Sequence, residues 1–307
     1  MKLLITGATG LIGRNLTQEF IDQGFEVNYL TTQQSKTEAL NQAKGFYWNP
    51  KQNQIDLNCF SGVDSIIHLA GATVSKRWTK AYKAKILSSR VLSTQLLFKG
   101  LQDLGGKHQV KHLVSASAIG IYPSDFELEF NEEAEVNPKS FMEKVVFDWE
   151  HEVDAFRDEG LRLAKLRIGL VLSKQGGVLG TLKIPTYFGL GAAFDSGKQG
   201  QSWIHMEDVL GIFSKAVSDQ WDGIFNTVAP NPVTQDKLMA ALAGGLKRPY
   251  FFPPIPAFLL KIGAGEMSDL VLDSHWISSQ KVIDQGYVFK FTDIEQAIND
   301  LVGSKSK

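Results

Sequence analysis

The sequence predicts an α/β protein, with a doubly wound parallel sheet in its first half and a smaller, mostly helical C-terminal region. Three observations carry this. Short apolar runs alternate with longer segments of helical period as far as Gly169, the pattern of a parallel sheet whose crossovers are helices. The first run, Lys2 to Ile5, passes straight into Thr6-Gly7-Ala8-Thr9-Gly10-Leu11-Ile12-Gly13, a three-glycine loop that opens a helix. Beyond Gly169 the alternation loosens, which divides residues 1–170 from a substrate-side region at 171–302, with a strand at 223–228 available to complete the first sheet.

The elements follow in order. Leu11, Ile12, Leu16, Phe20 and Ile21 recur at helical spacing, and Gly24 closes that helix. Glu26 to Leu30 reads as the second strand, Phe46 to Trp48 as a weaker one ended by Asn49-Pro50, and Ser65 to Ala70 as a buried strand. A long helix is predicted from about Trp78 to Leu104, stopped by Gly105-Gly106. Val110 to Ser115 is a strand, Phe141 to Arg157 a helix and Leu161 to Ile168 a strand. Gly176 to Gly200 reads as a glycine-rich loop, Glu207 to Val217 as a helix, and Thr234 to Leu242 as a helix capped by Thr234. The prolines between Arg248 and Pro256 exclude helix or central strand, because they lack a donor and fix φ. Gly303 to Lys307 should fray.

Composition narrows the function classes. The 307 residues carry 32 basic and 33 acidic side chains, so nothing draws the chain toward nucleic acid or an anionic membrane. Cys59 is the only cysteine, which excludes an internal disulfide and a cysteine-cluster metal site; no other metal constellation is evident. No targeting peptide or membrane-length apolar run is visible, so a cytoplasmic protein with a small-molecule ligand is expected. The sequence fixes no oligomeric state.

The glycine loop carries the first chemistry. A pyrophosphate needs backbone N–H donors that can approach it closely and the positive end of a helix dipole. Gly7 permits the tight turn, Gly10 the close approach and Gly13 the packing of helix on sheet, which makes this a Rossmann-type dinucleotide site with Thr9, Leu11 and Ile12 beside the phosphates. NAD enzymes read the ribose with an acid about 20 residues on, at the end of the second strand. Here stands Thr31-Thr32-Gln33-Gln34-Ser35-Lys36, with no carboxylate before Glu38. A 2′-phosphate would meet no repulsion there, so NADP(H) is favoured over NAD(H), with Thr31 and Thr32 among its donors.

These residues, with His68-Leu69-Ala70-Gly71-Ala72, Ser115-Ala116-Ser117 and Trp203 to Val209, resemble the extended short-chain dehydrogenase/reductase superfamily. More narrowly, Arg77-Trp78-Thr79, Ser89-Arg90-Val91, Asp148-Trp149-Glu150, Gln201 to His205, Pro249 to Pro256 and Gly265-Glu266 are similar to the NAD-dependent epimerase/dehydratase-related family with a C-terminal domain of unknown function. The resemblance implies that Leu69, Ala70 and Gly71 lie along the cofactor, with Ser115, and that Arg167 to Val171, including Gly169, pass the nicotinamide.

The superfamily's acid/base is a Tyr with a Lys four residues later, two positions that share one helix face. The only Tyr-x-x-x-Lys, Tyr47 to Lys51, contains Pro50 and lies near the third strand. Aligned from Ser117, the expected positions fall on Phe141 and Val145, and neither can move a proton. Ser117 matches the superfamily serine. Tyr122 is either an alternative acid or an aromatic packed against its loop. Glu132 and Glu133 read as surface or helix-approach carboxylates, and His205 as a structurally bonded histidine. Arg77, Trp78 and Trp203 are candidates for a substrate wall, the two tryptophans equally for core. The reading is an NADP(H)-binding oxidoreductase- or epimerase-like enzyme for a small carbonyl or hydroxyl compound, with atypical catalytic residues. The rival reading is a regulatory or interaction protein that binds NADP(H) without turnover.

Overall fold

The computed structural model describes residues 1–303; from Ser304 on, the tail expected to fray lies outside the described residues. Eight strands form the central sheet: β1 (Lys2–Thr6), β2 (Glu26–Thr31), β3 (Ala43–Asn49), β4 (Gln54–Ile55), β5 (Ser65–His68), β6 (His112–Ala118), β7 (Arg162–Ile168) and β8 (Gly223–Thr227). Their spatial order is β8-β7-β6-β5-β1-β2-β3-β4. Every neighbouring pair from β8 to β3 is parallel, and β4 is an antiparallel edge on β3. Strand order reverses between β1 and β5, so the crevice that open α/β sheets use for ligands lies past Thr6 and His68. Helices cover both faces, which is why Leu3, Leu4, Ile5, Ile66 and Ile67 read as unbroken apolar runs and are all fully buried.

Helix α1 (Leu11–Asp22) buries Gly13, Leu16, Thr17 and Phe20, one stripe of a 3.6-residue period. It closes as predicted at Gly24, whose φ of +83° suits a residue without Cβ. Helix α2 (Lys80–Asp103) starts two residues later than the apolar pattern suggested. Thr79 caps it by accepting the Tyr82 N–H, and Trp78 is left outside. Helix α3 (Phe141–Asp154) begins with a reciprocal cap between Ser140 and Glu143 and relaxes into a 3₁₀ turn through Arg157.

The stretch read as a glycine-rich loop contains a helix, α4 (Val178–Tyr187). Leu179, Leu182 and Thr186 supply its buried stripe, and the density of flanking glycines masked one short amphipathic segment. Helices α5 (Met206–Ser218) and α6 (Gln235–Gly245) follow, with the Thr234 hydroxyl accepting the Lys237 N–H as expected. Arg248 to Pro256 is irregular apart from one bridge between Ile255 and Phe194. Helix α7 (Ala257–Ala264) then buries none of its side chains. A second core joins Trp203, Leu172 and Leu182 to Leu238 and Leu242 of α6 and Ile298 and Leu301 of the C-terminal helix Ile294–Val302. Among the described residues no helix is long and apolar enough to cross a membrane, and no three His, Cys, Asp or Glu side chains gather as metal ligands.

Candidate functional site

The switch point is built from backbone. Gly7 turns the chain at φ +69°, and a Cβ there would lie 2.7 Å from the Leu69 carbonyl oxygen. A Cβ on Gly13 would strike the Gly7 carbonyl and come within 2.7 Å of the Ala8 Cα, so only glycine lets α1 rise directly out of β1. Gly10 donates to the Gly7 carbonyl at 2.9 Å and caps α1 without any side chain. The first intrahelical bond is Arg14 N–H to Gly10 O, which leaves the Leu11, Ile12 and Gly13 amides aimed along the helix axis with no partner among the described residues. Free amides on a positive dipole end are an anion site. Thr9 lies half-buried beside them.

Across the crevice, Thr6 organises the segment after β5. Its hydroxyl accepts the Leu69 N–H at 3.0 Å and the Ala70 N–H at 3.1 Å, so its own proton goes to His68 Nδ1 at 2.8 Å. His68 Nε2 therefore carries the ring hydrogen and donates to Thr94 Oγ1 at 3.0 Å, and that hydroxyl donates to the Arg90 carbonyl. Burial, seconded by the Arg90 charge, pushes the imidazole down to about 3, which keeps it neutral. The amides of Leu69 and Ala70 are thus occupied, and Gly71 is the exposed member of the segment. Ser89 and Arg90 of α2 hold Ala72 by its N–H and its carbonyl.

At the end of β2, Thr31 is buried and accepts the Gln33 N–H, whereas Thr32 is exposed. The loop beyond is fixed from beneath. The Tyr29 hydroxyl donates to the Lys36 carbonyl at 2.8 Å and accepts the Ala39 N–H at 3.1 Å. Gly45 makes room for the Tyr29 ring, since a Cβ there would lie 2.6 Å from its Cζ.

The two candidate catalytic residues, Ser117 and Tyr122, are linked inside the protein through Glu150 and Arg167. Ser117 Oγ donates to Glu150 Oε1 at 2.5 Å. Arg167 grips the same carboxylate through Nε at 2.9 Å and Nη2 at 3.0 Å, and donates from Nη1 to the Tyr122 hydroxyl at 2.8 Å. Tyr122 in turn donates to Asn226 Oδ1 at 2.9 Å and stacks on Phe130. All five hydrogen-bonded side chains are buried, and Lys165 lies 3.5 Å from Glu150. Burial works to raise the Glu150 carboxyl, but the Arg167 hydrogen bonds and charge outweigh it and hold the group below the usual carboxylate range. Tyr122 is pushed up by burial against the pull of Arg167, so its proton stays in place.

Sequence reasoning placed Ser117, Tyr122 and Arg167 in separate roles; the structure joins them through Glu150, which periodicity alone gave no reason to single out. Glu132 is a correction. Expected with Glu133 at the surface or on a helix approach, it is half-buried and accepts the Asn226 N–H at 2.6 Å, holding the residue that accepts the Tyr122 hydrogen bond.

Phe141 and Val145, where the acid/base pair was sought, share a stripe of α3 with Trp149. Phe141 lies edge-on to Trp78 at 5.2 Å and under the Lys83 ammonium, and Val145 is buried in the same apolar cluster. Lys144 points to solvent. Ser115 is fully buried and bonds the Ala116 carbonyl. Gly169 is a contact between backbones, since a Cβ there would strike the Ser202 carbonyl. Arg77 is exposed, and Trp78 covers the Phe141 cluster. Trp203, one of the two candidate wall tryptophans, is wholly buried in the second core and donates to the Asn231 carbonyl. His205 caps α5 by accepting the Glu207 N–H.

The fold and its glycine crevice define a Rossmann-type protein of the extended short-chain dehydrogenase/reductase kind. More particularly, the chain belongs to the NAD dependent epimerase/dehydratase family, whose model matches residues 3–226, and a domain of unknown function, DUF1731, matches residues 255–301. An epimerase family protein of Staphylococcus saprophyticus is 35% identical over 300 residues, covering 97% of this chain and 98% of that one. The crystal structure of the human epimerase family protein SDR39U1 with NADPH superposes with a TM-score of 0.85 at 25% identity, over 98% of this chain and 99% of that one. The UDP-glucose 4-epimerase of Thermus thermophilus, in complex with NAD, shares the fold at a TM-score of 0.77 and 20% identity, over 99% of this chain and 100% of that one.

Proposed function

We propose that this protein binds NADP(H) across the β1/β5 crevice and acts on a small carbonyl or hydroxyl compound, by oxidation, reduction or epimerisation. The observation that carries the reading is the uncapped start of α1. Three free amides, a helix dipole and glycines at Gly7, Gly10 and Gly13 leave backbone open to a pyrophosphate. The exposed loop after Thr32 offers Ser35 and Lys36 and no carboxylate before Glu38, which suits a 2′-phosphate, and the human relative is described with NADPH. When bound, the nicotinamide accepts or donates a hydride.

The chain's own residues would divide the remaining work. Leu11, Ile12 and Gly13 hold the pyrophosphate, and the Tyr29-pinned loop holds the adenosine end. Gly71 lets the backbone approach the ligand closely. Ser117, whose proton is held by Glu150, keeps lone pairs with which to accept from a substrate hydroxyl, and Arg167 fixes Glu150 in turn. The apolar Phe141–Val145 stripe supports a second reading, an NADP(H)-binding regulatory or interaction protein without turnover.

Oxidation of NADPH across a panel of small aldehydes and ketones separates the two. Turnover that Ser117→Ala lowers at least tenfold, with Tyr122→Phe beside it, supports catalysis. Turnover indifferent to both removes the catalytic assignment, and tight NADPH binding without turnover supports the second reading. Calorimetric titration should show NADPH bound more tightly than NADH, and equal affinities would end the 2′-phosphate argument.

A further inference from the structure

A guanidinium packed under backbone is ordinarily paired with a carboxylate, because charge is expensive to take even partly out of water. Arg90, half-buried, is not. It projects from α2 beneath the segment that follows β5, where the Gly71 backbone covers one side of its planar head and the Trp149 ring lies 5.2 Å away. A Cβ on Gly71 would sit only 3.1 Å from Arg90 Cζ, so glycine is what brings the backbone down onto the guanidinium. Nη1 donates to the Ile86 carbonyl at 3.0 Å and to the Ala72 carbonyl at 3.3 Å. Among the described residues Nε and Nη2 donate to nothing, and no carboxylate lies within 4.0 Å of the group. His68, ionisable and at the same edge, is neutral. Burial lowers Arg90 only to about 10, so the cation persists at neutral pH. The crevice therefore holds one positive charge without a counter-charge.

We infer that Arg90 is a ligand-binding residue whose free Nε and Nη2 donors take oxyanion oxygens from the nicotinamide half of the bound dinucleotide. This rests on the cofactor reading above and adds to it a charge that the glycine loop lacks. The side of the crevice follows from the sheet. Thr31 and Thr32 at the end of β2 mark the adenosine half, whereas Gly71 follows β5, on the side leading to β6, β7 and β8. A purely structural Arg90 would need only its aliphatic stem and Nη1. The unused edge of the fork is the part that matches a phosphate.

The test compares two ligands by calorimetry on the full chain: NADPH, which has both halves, and 2′,5′-ADP, which has only the adenosine half. Arg90→Met should weaken NADPH about tenfold or more, as expected for loss of a charge-assisted hydrogen bond, and leave 2′,5′-ADP within about twofold. Arg90→Lys keeps the charge but loses the fork, and should fall between wild type and Arg90→Met. Should Arg90→Met not fold, the lysine variant reads the same ratio. An unchanged ratio of the two affinities, whether neither ligand weakens or both weaken equally, overturns the inference and leaves the cofactor reading intact. A wild-type chain that binds neither ligand overturns both.

Discussion

Glu150 bonds Ser117 directly and reaches Tyr122 through Arg167, and Glu150→Gln tests what it holds. The substitution keeps the shape and removes the charge that faces Arg167 at 2.9 and 3.0 Å and Lys165 at 3.5 Å. Lys165 keeps a second partner in Asp154 at 2.9 Å; Arg167 keeps only the neutral Tyr122 hydroxyl. The glutamine amide must also turn its NH₂ toward Arg167, because Oε1 meets Nε and Oε2 meets Nη2, so one of those two contacts sets donor against donor. Breaking one side of a buried ion pair costs about 3–5 kcal/mol. At roughly 2 °C per kcal/mol for a chain of this size, that is about 6–10 °C in Tm by differential scanning calorimetry.

Because Glu150 is held below its ordinary value of 4.5, its contribution is fully present above that pH and is lost as pH falls through the lower folded-state value. The gap between wild type and Glu150→Gln should therefore narrow as pH falls below 4.5. Replacing both partners, Glu150→Met with Arg167→Met, should recover much of the loss, since no charge is then stranded. A Tm drop under about 2 °C for Glu150→Gln, or losses that simply add in the double variant, would refute the account of a coupled buried pair.

Two further predictions concern the crevice itself. Gly13→Ala drives a Cβ into the Gly7 carbonyl, which is backbone and cannot swing away, so NADPH affinity should fall at least tenfold in a titration. Gly180→Ala, with nothing within 4 Å of its Cβ, is the control and should match wild type. His68, held down at about 3, binds fewer protons folded than unfolded, so it adds stability above pH 6.5 that is lost as pH falls from 6.5 toward 3. His68→Asn should flatten the Tm-against-pH curve across that window, and an unchanged slope would show that the ring is not buried neutral.

Much of the fold was legible because it is local or periodic. The alternation of apolar runs with helical stripes marked the strands and helices of the parallel sheet, and three glycines between strand and helix located the dinucleotide crevice. The resemblance to the superfamily put Phe141 and Val145 where an acid and its lysine would stand, and both pack in one apolar cluster. A local signal also misled: glycines flanking Val178–Tyr187 concealed α4, whose stripe is short enough to be outweighed by its neighbours. The start of α2 slipped by two residues because Trp78 is apolar for the sake of Phe141, not of the helix.

Only the tertiary structure decided what the polar residues do. Ser117, Tyr122, Glu132, Glu150, Arg167 and Asn226 come from five separate segments, and no spacing rule connects them. Their hydrogen bonds exist because β6, β7, β8 and α3 pack side by side. The same holds for Arg90. Its charge is written in the sequence, but the lack of a carboxylate partner among the described residues is a property of its surroundings. The sequence by itself determined the sheet and the crevice, because periodicity and backbone freedom are encoded residue by residue. Pairing of charge is encoded in no single residue, so tertiary packing decided which side chains are spent on structure and which remain free for a ligand.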